Sequence, residues 1–316
     1  MLDTTFGITS NYIEVYPDIH AHREVAQEVD SYVTSQFREQ SAKYVAAYQS
    51  VGHWTYLLGL ACQAAGITDY DRDYSILDIG SGAGNTVFAA LDTFKNGSVL
   101  ATDISLEMLV HLKSFLNEQE VFADRCRMAQ LNCEKPELQP GAFDIVIGGS
   151  ILHHLRNPEK TIFASQALLK PGGLFIAFEP FEAGYAVLSG IYKILLRDLP
   201  LDSHAARVLK AMIQDWTVRK GSDKSDPIFF HLDDKWLFTH SWFKQFVPPY
   251  ASCKIESTFL SKRPFTDETR EILRVNECPA EGIPDDGWAM LEDFDHSMSE
   301  DLRRDFLFTG VVILQS

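Results

Sequence analysis

The 316-residue sequence contains no run of 18 or more apolar residues, although 46% of its residues are hydrophobic. A helix needs a segment of about that length to cross a bilayer, so no membrane-spanning helix is predicted. The first residues, MLDTTFGITS, also lack the basic and then apolar pattern of a secretion signal. We therefore expect a folded, cytoplasmic protein that buries one large core, or a core and a cap.

Basic residues are scarce in this chain. Its 28 lysines and arginines stand against 44 aspartates and glutamates, which gives a formal net charge of -16. Such a surface repels nucleic-acid phosphates and anionic lipid headgroups. Nucleic acid is therefore excluded as a partner and docking on a membrane surface is disfavoured, whereas the oligomeric state is left open.

Cysteine is equally sparse. The five cysteines are odd in number and scattered, and none is spaced as CxxC or has a nearby histidine pair. These spacings indicate neither a disulfide framework nor a zinc site, so the sequence predicts no metal.

The pattern of apolar residues changes along the chain. Residues 21–66 carry apolar side chains at helical intervals, whereas from Tyr74 onward short apolar runs alternate with helical stretches. The seven runs are SILDIG, SVLATD, CRMAQLN, FDIVIGG, GGLFIAFEP, CKIESTFLS and FLFTGVVILQ. Helix-length crossovers between the first five require parallel pairing. The sequence thus predicts an α/β fold with a doubly wound, seven-stranded, mostly parallel sheet.

Four segments follow from this pattern. We predict an N-terminal helical cap at 1–70, a core at 71–180, a helical lid insertion at 181–230, and a C-terminal part of the core at 231–316. The last part contains a further insertion at about 263–304, where polar residues separate the final two strands. Because the lid segment is rich in aromatic residues, we expect it to close over a small molecule.

A glycine-rich turn is the strongest local motif. Asp78, Gly80, Ser81, Gly82 and Gly84 lie between a predicted buried strand and the helix that follows it. Glycines permit a tight turn and let a ligand approach the N–H groups at the start of a helix. The spacing does not fit the dinucleotide pattern G-x-G-x-x-G, because asparagine occupies the position of the third glycine. A plain strand-to-helix turn without a ligand is the remaining alternative.

Three further segments accompany the turn: LATDIS around Asp103, FDIVIGGSILHHL at 143–155 and LLKPGG at 168–173. Together with the glycine turn, these segments resemble the class I S-adenosylmethionine-dependent methyltransferases over roughly Tyr74 to Ala177. The His-His-Leu sequence is similar to quinone-biosynthesis and natural-product enzymes of that family. The resemblance implies a Rossmann-like fold, S-adenosylmethionine as the cofactor, and transfer of its methyl group to a small-molecule acceptor, with O-methylation favoured.

The resemblance also implies which residues bind the cofactor. The acidic residue and the turn form the family's first motif, Asp103 would bind both ribose hydroxyls, and a hydrophobic pair would pack near the adenine. Gly148 and Gly149 would let the backbone approach the methionine part closely. The position after the third strand would meet the adenine edge, although asparagine replaces the commoner aspartate there. The predicted set is Asp78, Gly80, Ser81, Gly82, Asp103, Ile104, Met108, Asn132, Cys133 and Gly148. Asp103 could instead serve only as a helix N-cap.

Three residues are candidates for deprotonating the acceptor. His153 and His154 follow the fourth core strand and Glu179 ends the fifth, and imidazole titrates near neutral pH. Each histidine could instead have only a packing or hydrogen-bonding role, and Glu179 could instead bind the acceptor. Two other hypotheses stay open, namely an enzyme of the same fold that uses the cofactor for other chemistry, and a non-catalytic scaffold.

Overall fold

The computed structural model describes residues 11–23, 41–119, 124–258 and 261–316, together with Ile8, Val25, Phe37 and Phe122. The chain forms two compact units. The first comprises Met1–Phe178, Lys244–Lys254 and Val311–Ser316, and the second comprises Glu179–Phe243 and Ile255–Gly310.

A mixed sheet organises the fold. Its strands run in the order β1-β2-β5-β4-β3-β6-β7-β9-β8. Their bounds are β1 Tyr12–Tyr16, β2 Ile19–His22, β3 Ser75–Ile79, β4 Ser98–Asp103, β5 Cys126–Gln130, β6 Phe143–Gly149, β7 Leu169–Pro180, β8 Ser252–Ser257 and β9 Thr309–Gln315. In this order, each strand from β2 to β7 is parallel to its neighbours within that range. The predicted α/β fold with a mostly parallel sheet is thus confirmed.

Helices connect these strands. In the first unit they span Ser41–Tyr48, Val51–Ala65, Asn85–Thr93, Leu106–Glu118 and Pro158–Leu168. Residues from three of these helices pack with the strands in one core, which contains the fully buried Ala61, Phe94 and Leu109. Burying each large side chain of this kind contributes roughly 1.5–3 kcal/mol. Because helices cover a parallel sheet, its strands are mostly apolar, as the buried stretch 145–148 of β6 shows.

The N-terminal segment departs from the prediction of helices alone. β1 pairs antiparallel with β2, and β2 pairs in parallel with β5, so the described residues form nine strands instead of seven. The physical reason is a short alternation, in which Tyr12, Ile19 and Ala21 turn inward. Within the described part of this segment Val25 is helical, and the helices Ser41–Tyr48 and Val51–Ala65 follow.

The second unit has its own hydrophobic core. Its described helices span Glu182–Leu195, His204–Arg219, Pro264–Val275, Asp285–Ser297 and Glu300–Asp305, and a short helix at His240–Lys244 begins in it. Tyr192, Phe265, Leu291 and Phe308 are almost fully buried among them. The segments expected to be a lid and an insertion both belong to this unit, and their action as a lid stays a prediction. No helix in the described ranges is long and apolar enough to traverse a membrane.

The order of the strands defines a crevice in the first unit. β3 lies at its centre, with β4 on one side and β6 on the other, so consecutive connections leave β3 in opposite directions. Ligands of open α/β sheets bind where the strand order reverses in this way, outside the carboxyl ends of the strands. The glycine turn follows β3 directly and Asp103 ends β4, so both lie at that edge.

Candidate cofactor site

The glycine turn is built from left-handed backbone. Gly80, Gly82 and Gly84 have φ angles of 66°, 52° and 100°. A Cβ atom on Gly80 would lie 2.6 Å from the Ile151 side chain, and one on Gly84 would lie 2.4 Å from Leu112. Both the backbone angles and the packing therefore require glycine here. The turn leads into the helix Asn85–Thr93, which has no side-chain hydrogen bond at its N-cap.

The turn is tied to the neighbouring strand β4. The Ser81 amide donates to the Thr102 carbonyl at 2.9 Å, and the Thr102 hydroxyl donates to the Asp78 carbonyl at 2.8 Å. These bonds satisfy backbone groups that the turn would otherwise leave unpaired. They also fix the spacing between the ends of the two strands.

Asp103 is held by backbone amides on both of its carboxylate oxygens. Gly82 N donates to Oδ2 at 2.9 Å and Ser105 N donates to Oδ1 at 2.8 Å. Burial raises the pKa of Asp103 to about 6, and these amide bonds oppose the rise. Each oxygen can accept a further hydrogen bond, so the carboxylate is oriented for two more donors. The alternative role as an N-cap is taken by Ser105, whose hydroxyl accepts from Met108 N.

Asp78 is a fully buried carboxyl group with an incomplete set of partners. Neither of its oxygens has a hydrogen-bond partner of ordinary geometry within the described chain, although the Thr86 hydroxyl lies close enough to favour its ionised form. Burial raises the pKa of Asp78 to about 8, and the charge of Asp103 adds to the rise. A buried polar group without partners is costly. The site is therefore suited to a ligand that brings a cationic donor.

Met108 and Ile104 lie next to this pair of carboxylates. Met108 is buried, and its Cε atom is 3.3 Å from the position that a Cβ on Gly82 would occupy. Ile104 is half-buried, and its carbonyl accepts from Gln130 Nε2 at 2.9 Å. The two side chains supply apolar surface beside the turn and Asp103.

Asn132 and Cys133 follow β5. The Asn132 Oδ1 atom already accepts from Glu134 N at 2.9 Å, which leaves it one further lone pair. The Cys133 thiol accepts from the Thr161 hydroxyl at 3.6 Å, and burial raises its pKa to about 12. A thiol of that pKa stays protonated at neutral pH, so the structure gives no support to a nucleophilic role.

The end of β6 brings glycine and histidine together. Gly148 is buried, with the Ile151 Cγ2 atom 3.0 Å from where its Cβ would be. Ser150 has a φ angle of 57°, and a short 3-10 helix then carries His153 and His154. The two imidazole rings lie 4.1 Å apart between centroids, and His153 is the more buried of the two.

The structure places the remaining candidate elsewhere. Glu179 is 2% exposed near the end of β7 and belongs to the second unit, whereas the other predicted site residues belong to the first. Sequence reasoning missed Thr86 and Gln130, which act on Asp78 and on the carbonyl of Ile104. No spacing rule identifies them, because each contributes through a side chain that folding brings to the site.

Residues 77–175 match a family model described as a methyltransferase domain. The resemblance of this region to the class I S-adenosylmethionine-dependent methyltransferases is thus confirmed. A stretch of 115 residues is 34% identical to the reducing polyketide synthase BOA6 of Botryotinia fuckeliana, covering 33% of this chain and 4% of the synthase. A stretch of 174 residues is 25% identical to the sterol 4-C-methyltransferase strm-1 of Caenorhabditis elegans, covering 54% of this chain and 48% of that enzyme.

A solved structure shows the same fold over a longer span. The phosphoethanolamine N-methyltransferase 2 of Haemonchus contortus aligns with a TM-score of 0.54 at 15% identity, over 91% of this chain and 60% of that one. At this identity the likeness concerns the fold alone. The chain thus spans less than half the length of these two curated relatives and 60% of this solved methyltransferase.

S-adenosylmethionine is the cofactor of this methyltransferase family, and the geometry at the ends of β3 and β4 fits it. The cofactor carries an ammonium group, which matches the buried and incompletely partnered carboxyl of Asp78. It also carries two ribose hydroxyls, which match the two remaining acceptor positions of Asp103. At Gly82 the turn carries no side chain, and the atom nearest to where its Cβ would lie is Met108 Cε at 3.3 Å.

Asp103 gives the first testable prediction. Its ionised form is the stronger acceptor, so its contribution to binding should be full above about pH 7 and should fall as the pH drops through 6. Asp103→Asn should weaken binding of S-adenosylhomocysteine by about 1–3 kcal/mol at pH 7.5. Calorimetric titration at several pH values would measure the ratio of wild-type to variant affinity, which should shrink toward one below pH 6.

Asp92→Asn, on an exposed helix face, is a suitable control because it removes the same charge. An affinity ratio for Asp103→Asn that stays constant from pH 8 to pH 5, or an affinity equal to that of the control, would contradict the assignment.

The second prediction concerns Gly82. Gly82→Ala and Gly141→Ala both place a Cβ on left-handed backbone, with φ angles of 52° and 67°. Each should therefore lose about 1–2 kcal/mol of unfolding free energy, measured with urea. Only Gly82→Ala should also weaken S-adenosylhomocysteine binding, because Gly141 has nothing within 4 Å of its Cβ position and lies away from the turn. Equal affinities for the two variants would move the cofactor site away from Gly82.

Proposed function

We propose that this protein is an enzyme that transfers the methyl group of S-adenosylmethionine to a small-molecule acceptor. The observation that carries the proposal is the pair of carboxylates, Asp78 and Asp103, on either side of the glycine turn. One has oriented oxygens with acceptor capacity to spare, and the other is buried without ordinary hydrogen-bond partners. A fold without a ligand has no physical use for the second arrangement, since it only costs stability.

Each predicted cofactor residue then has a role. Asp78 would accept from the ammonium group, and Asp103 would accept from both ribose hydroxyls. The backbone of Gly80, Ser81 and Gly82 would contact the methionine part, because N–H groups near the start of a helix can bind such a ligand.

The other side of the cofactor would meet mostly apolar groups. Ile104 and Met108 would lie beside the adenine ring. Asn132 would accept from the adenine amino group through its free lone pair, while Cys133 would contribute its backbone. Gly148 would let the chain approach the methionine part closely, because it has no side chain.

Methyl transfer sets three tasks for the chain. The cofactor supplies an electrophilic methyl group and its own leaving group when bound. The protein must therefore align the acceptor, exclude water and take up a proton where the acceptor carries one. An oxygen acceptor is favoured in this proposal, because a base next to the site is useful chiefly when a hydroxyl has to lose its proton.

We assign the role of base to His154, with His153 and Glu179 as the alternatives. His154 is half-buried at the end of β6, whereas His153 is 8% exposed and Glu179 is 2% exposed. A base has to reach both the acceptor and the solvent to which it returns the proton. The more accessible imidazole satisfies both requirements better.

The class of acceptor follows from charge and from the relatives. A net charge of -16 disfavours nucleic acid and anionic membrane surfaces. The names of the similar proteins refer to a sterol and to polyketide synthesis, and both concern small organic molecules. These likenesses support a small-molecule acceptor of the kind found in secondary metabolism.

Two other functions remain distinguishable by experiment. An enzyme of this fold could use the cofactor for chemistry other than methyl transfer, in which case it would bind the cofactor and leave its methyl group in place. A scaffold without activity would bind neither the cofactor nor S-adenosylhomocysteine. Mass spectrometry of small-molecule mixtures incubated with the protein and methyl-labelled cofactor separates these cases, since only a methyltransferase moves the label into a product.

His154→Ala gives the third prediction. With an acceptor identified by the labelling experiment, kcat should fall by about 10²- to 10⁴-fold, and the limb of the pH profile due to the base should disappear. Binding of S-adenosylhomocysteine should stay unchanged. His204→Ala, at an exposed helix start in the second unit, controls for loss of a histidine. An unchanged pH profile in His154→Ala would contradict the assignment and leave His153 and Glu179 to be tested.

A further inference from the structure

The second unit contains a cavity of about 280 Å³ whose wall is formed entirely by its own residues. This volume is close to the lower end of the range of roughly 300–1,000 Å³ that is typical of ligand pockets. The cavity is lined by the first turn of the helix Glu182–Leu195, by the turn at Gly221 and by the segment 236–242. Its occupant must therefore be a small molecule or a small group.

Three aromatic rings form much of the wall. Trp236 and Phe238 are parallel, with centroids 5.6 Å apart, and Trp242 lies 4.7 Å from Phe238 at an angle of 47°. Trp236 and Phe238 are 4% and 1% exposed, so their packing holds the rings in place. The faces of such rings carry negative electrostatic potential and attract cations, tryptophan most strongly.

Among the described residues that line this wall, Glu182 has the only charged side chain. Its backbone amide donates to the Phe238 carbonyl at 2.8 Å, which holds the backbone of Glu182 beside the segment that carries the rings. Within the described part of the chain, its carboxylate accepts a long hydrogen bond of 3.4 Å from Gly221 N. The carboxylate also occupies the positive end of its helix, so that end is not available to a second anion.

A cation already packs against one of these rings. Lys224 Nζ lies 4.8 Å from the centroid of Trp236 and 4.7 Å from that of Phe229, and it donates to the Arg219 carbonyl at 2.8 Å. Lys224 does not line the cavity. Burial lowers the pKa of Lys224 to about 8, whereas the negative charge of Glu182 favours its protonated form.

We propose that this cavity binds a small methylated ammonium compound. The wall offers one carboxylate and three hydroxyls, those of Ser222, Thr239 and Ser241, and the last two already hydrogen-bond to each other at 3.0 Å. Methyl groups on nitrogen reduce the number of donors to be satisfied and present a positively polarised surface to the rings. This proposal does not depend on whether the chain transfers methyl groups.

Choline and its uncharged isostere 3,3-dimethyl-1-butanol test this proposal with matched shapes. Ligand-observed NMR of the full chain, at constant ionic strength, would follow the trimethylammonium signal of one and the tert-butyl signal of the other. Choline should bind saturably and at least about tenfold more tightly than the alcohol, because only the charged compound interacts with the carboxylate and the ring faces. Equal affinities, or no saturable binding of choline, would overturn the proposal.

Two variants assign the binding to this cavity. Glu182→Gln keeps an acceptor for Gly221 N and should weaken choline binding about tenfold, with little effect on the alcohol. Glu281→Gln removes the same charge from an exposed position of the same unit and should leave the affinity for choline at the wild-type value. Trp242→Leu keeps apolar bulk while removing a ring, and it should also weaken choline binding. Equal choline affinity in Glu182→Gln and Glu281→Gln would contradict the site.

Discussion

Two carboxylates at the carboxyl ends of adjacent parallel strands are the constraint on which the cofactor site depends. Asp103 keeps its charge near neutral pH because two backbone amides donate to it, whereas Asp78 has no such support and its pKa lies near 8. The glycine turn makes both arrangements possible. It brings Gly82 N to Asp103 and gives Asp78 no hydrogen-bond partner of ordinary geometry within the described chain. The turn, its hydrogen bonds to Thr102 and the order of the strands together hold Asp78 and Asp103 in these positions.

The parts of the fold that sequence reasoning predicted are those with a strong local signal. The buried strands from β3 to β7 have almost continuous apolar runs, and the turn at Gly80–Gly84 can be formed only by glycine. The hairpin of β1 and β2 was missed because its alternation covers only a few residues, and its burial depends on pairing with the distant β5. Long-range pairing of this kind leaves little trace in a local pattern.

In the candidate site, too, the sequence predicted the features that have a local signal and not those that depend on folding. The positions of Asp78 and Asp103 followed from the motif, but the missing partners of Asp78 and the amides bound to Asp103 became visible only in three dimensions. Periodicity was still less informative in the aromatic second unit, because a ring at helical spacing can be core or cavity wall. Phe243 is fully buried, whereas its neighbour Trp242 lines a cavity. Only the packing distinguishes them.

Proton release on cofactor binding tests the central claim most directly. At pH 7 a carboxyl with a pKa of about 8 is mostly protonated, and docking of an ammonium group beside it would lower that pKa and expel the proton. Calorimetric titration with S-adenosylhomocysteine in two buffers of different ionisation enthalpy measures this release. The account predicts close to one proton per bound ligand in the wild type and almost none in Asp78→Asn. Binding with no proton release in the wild type, or no binding, would contradict it.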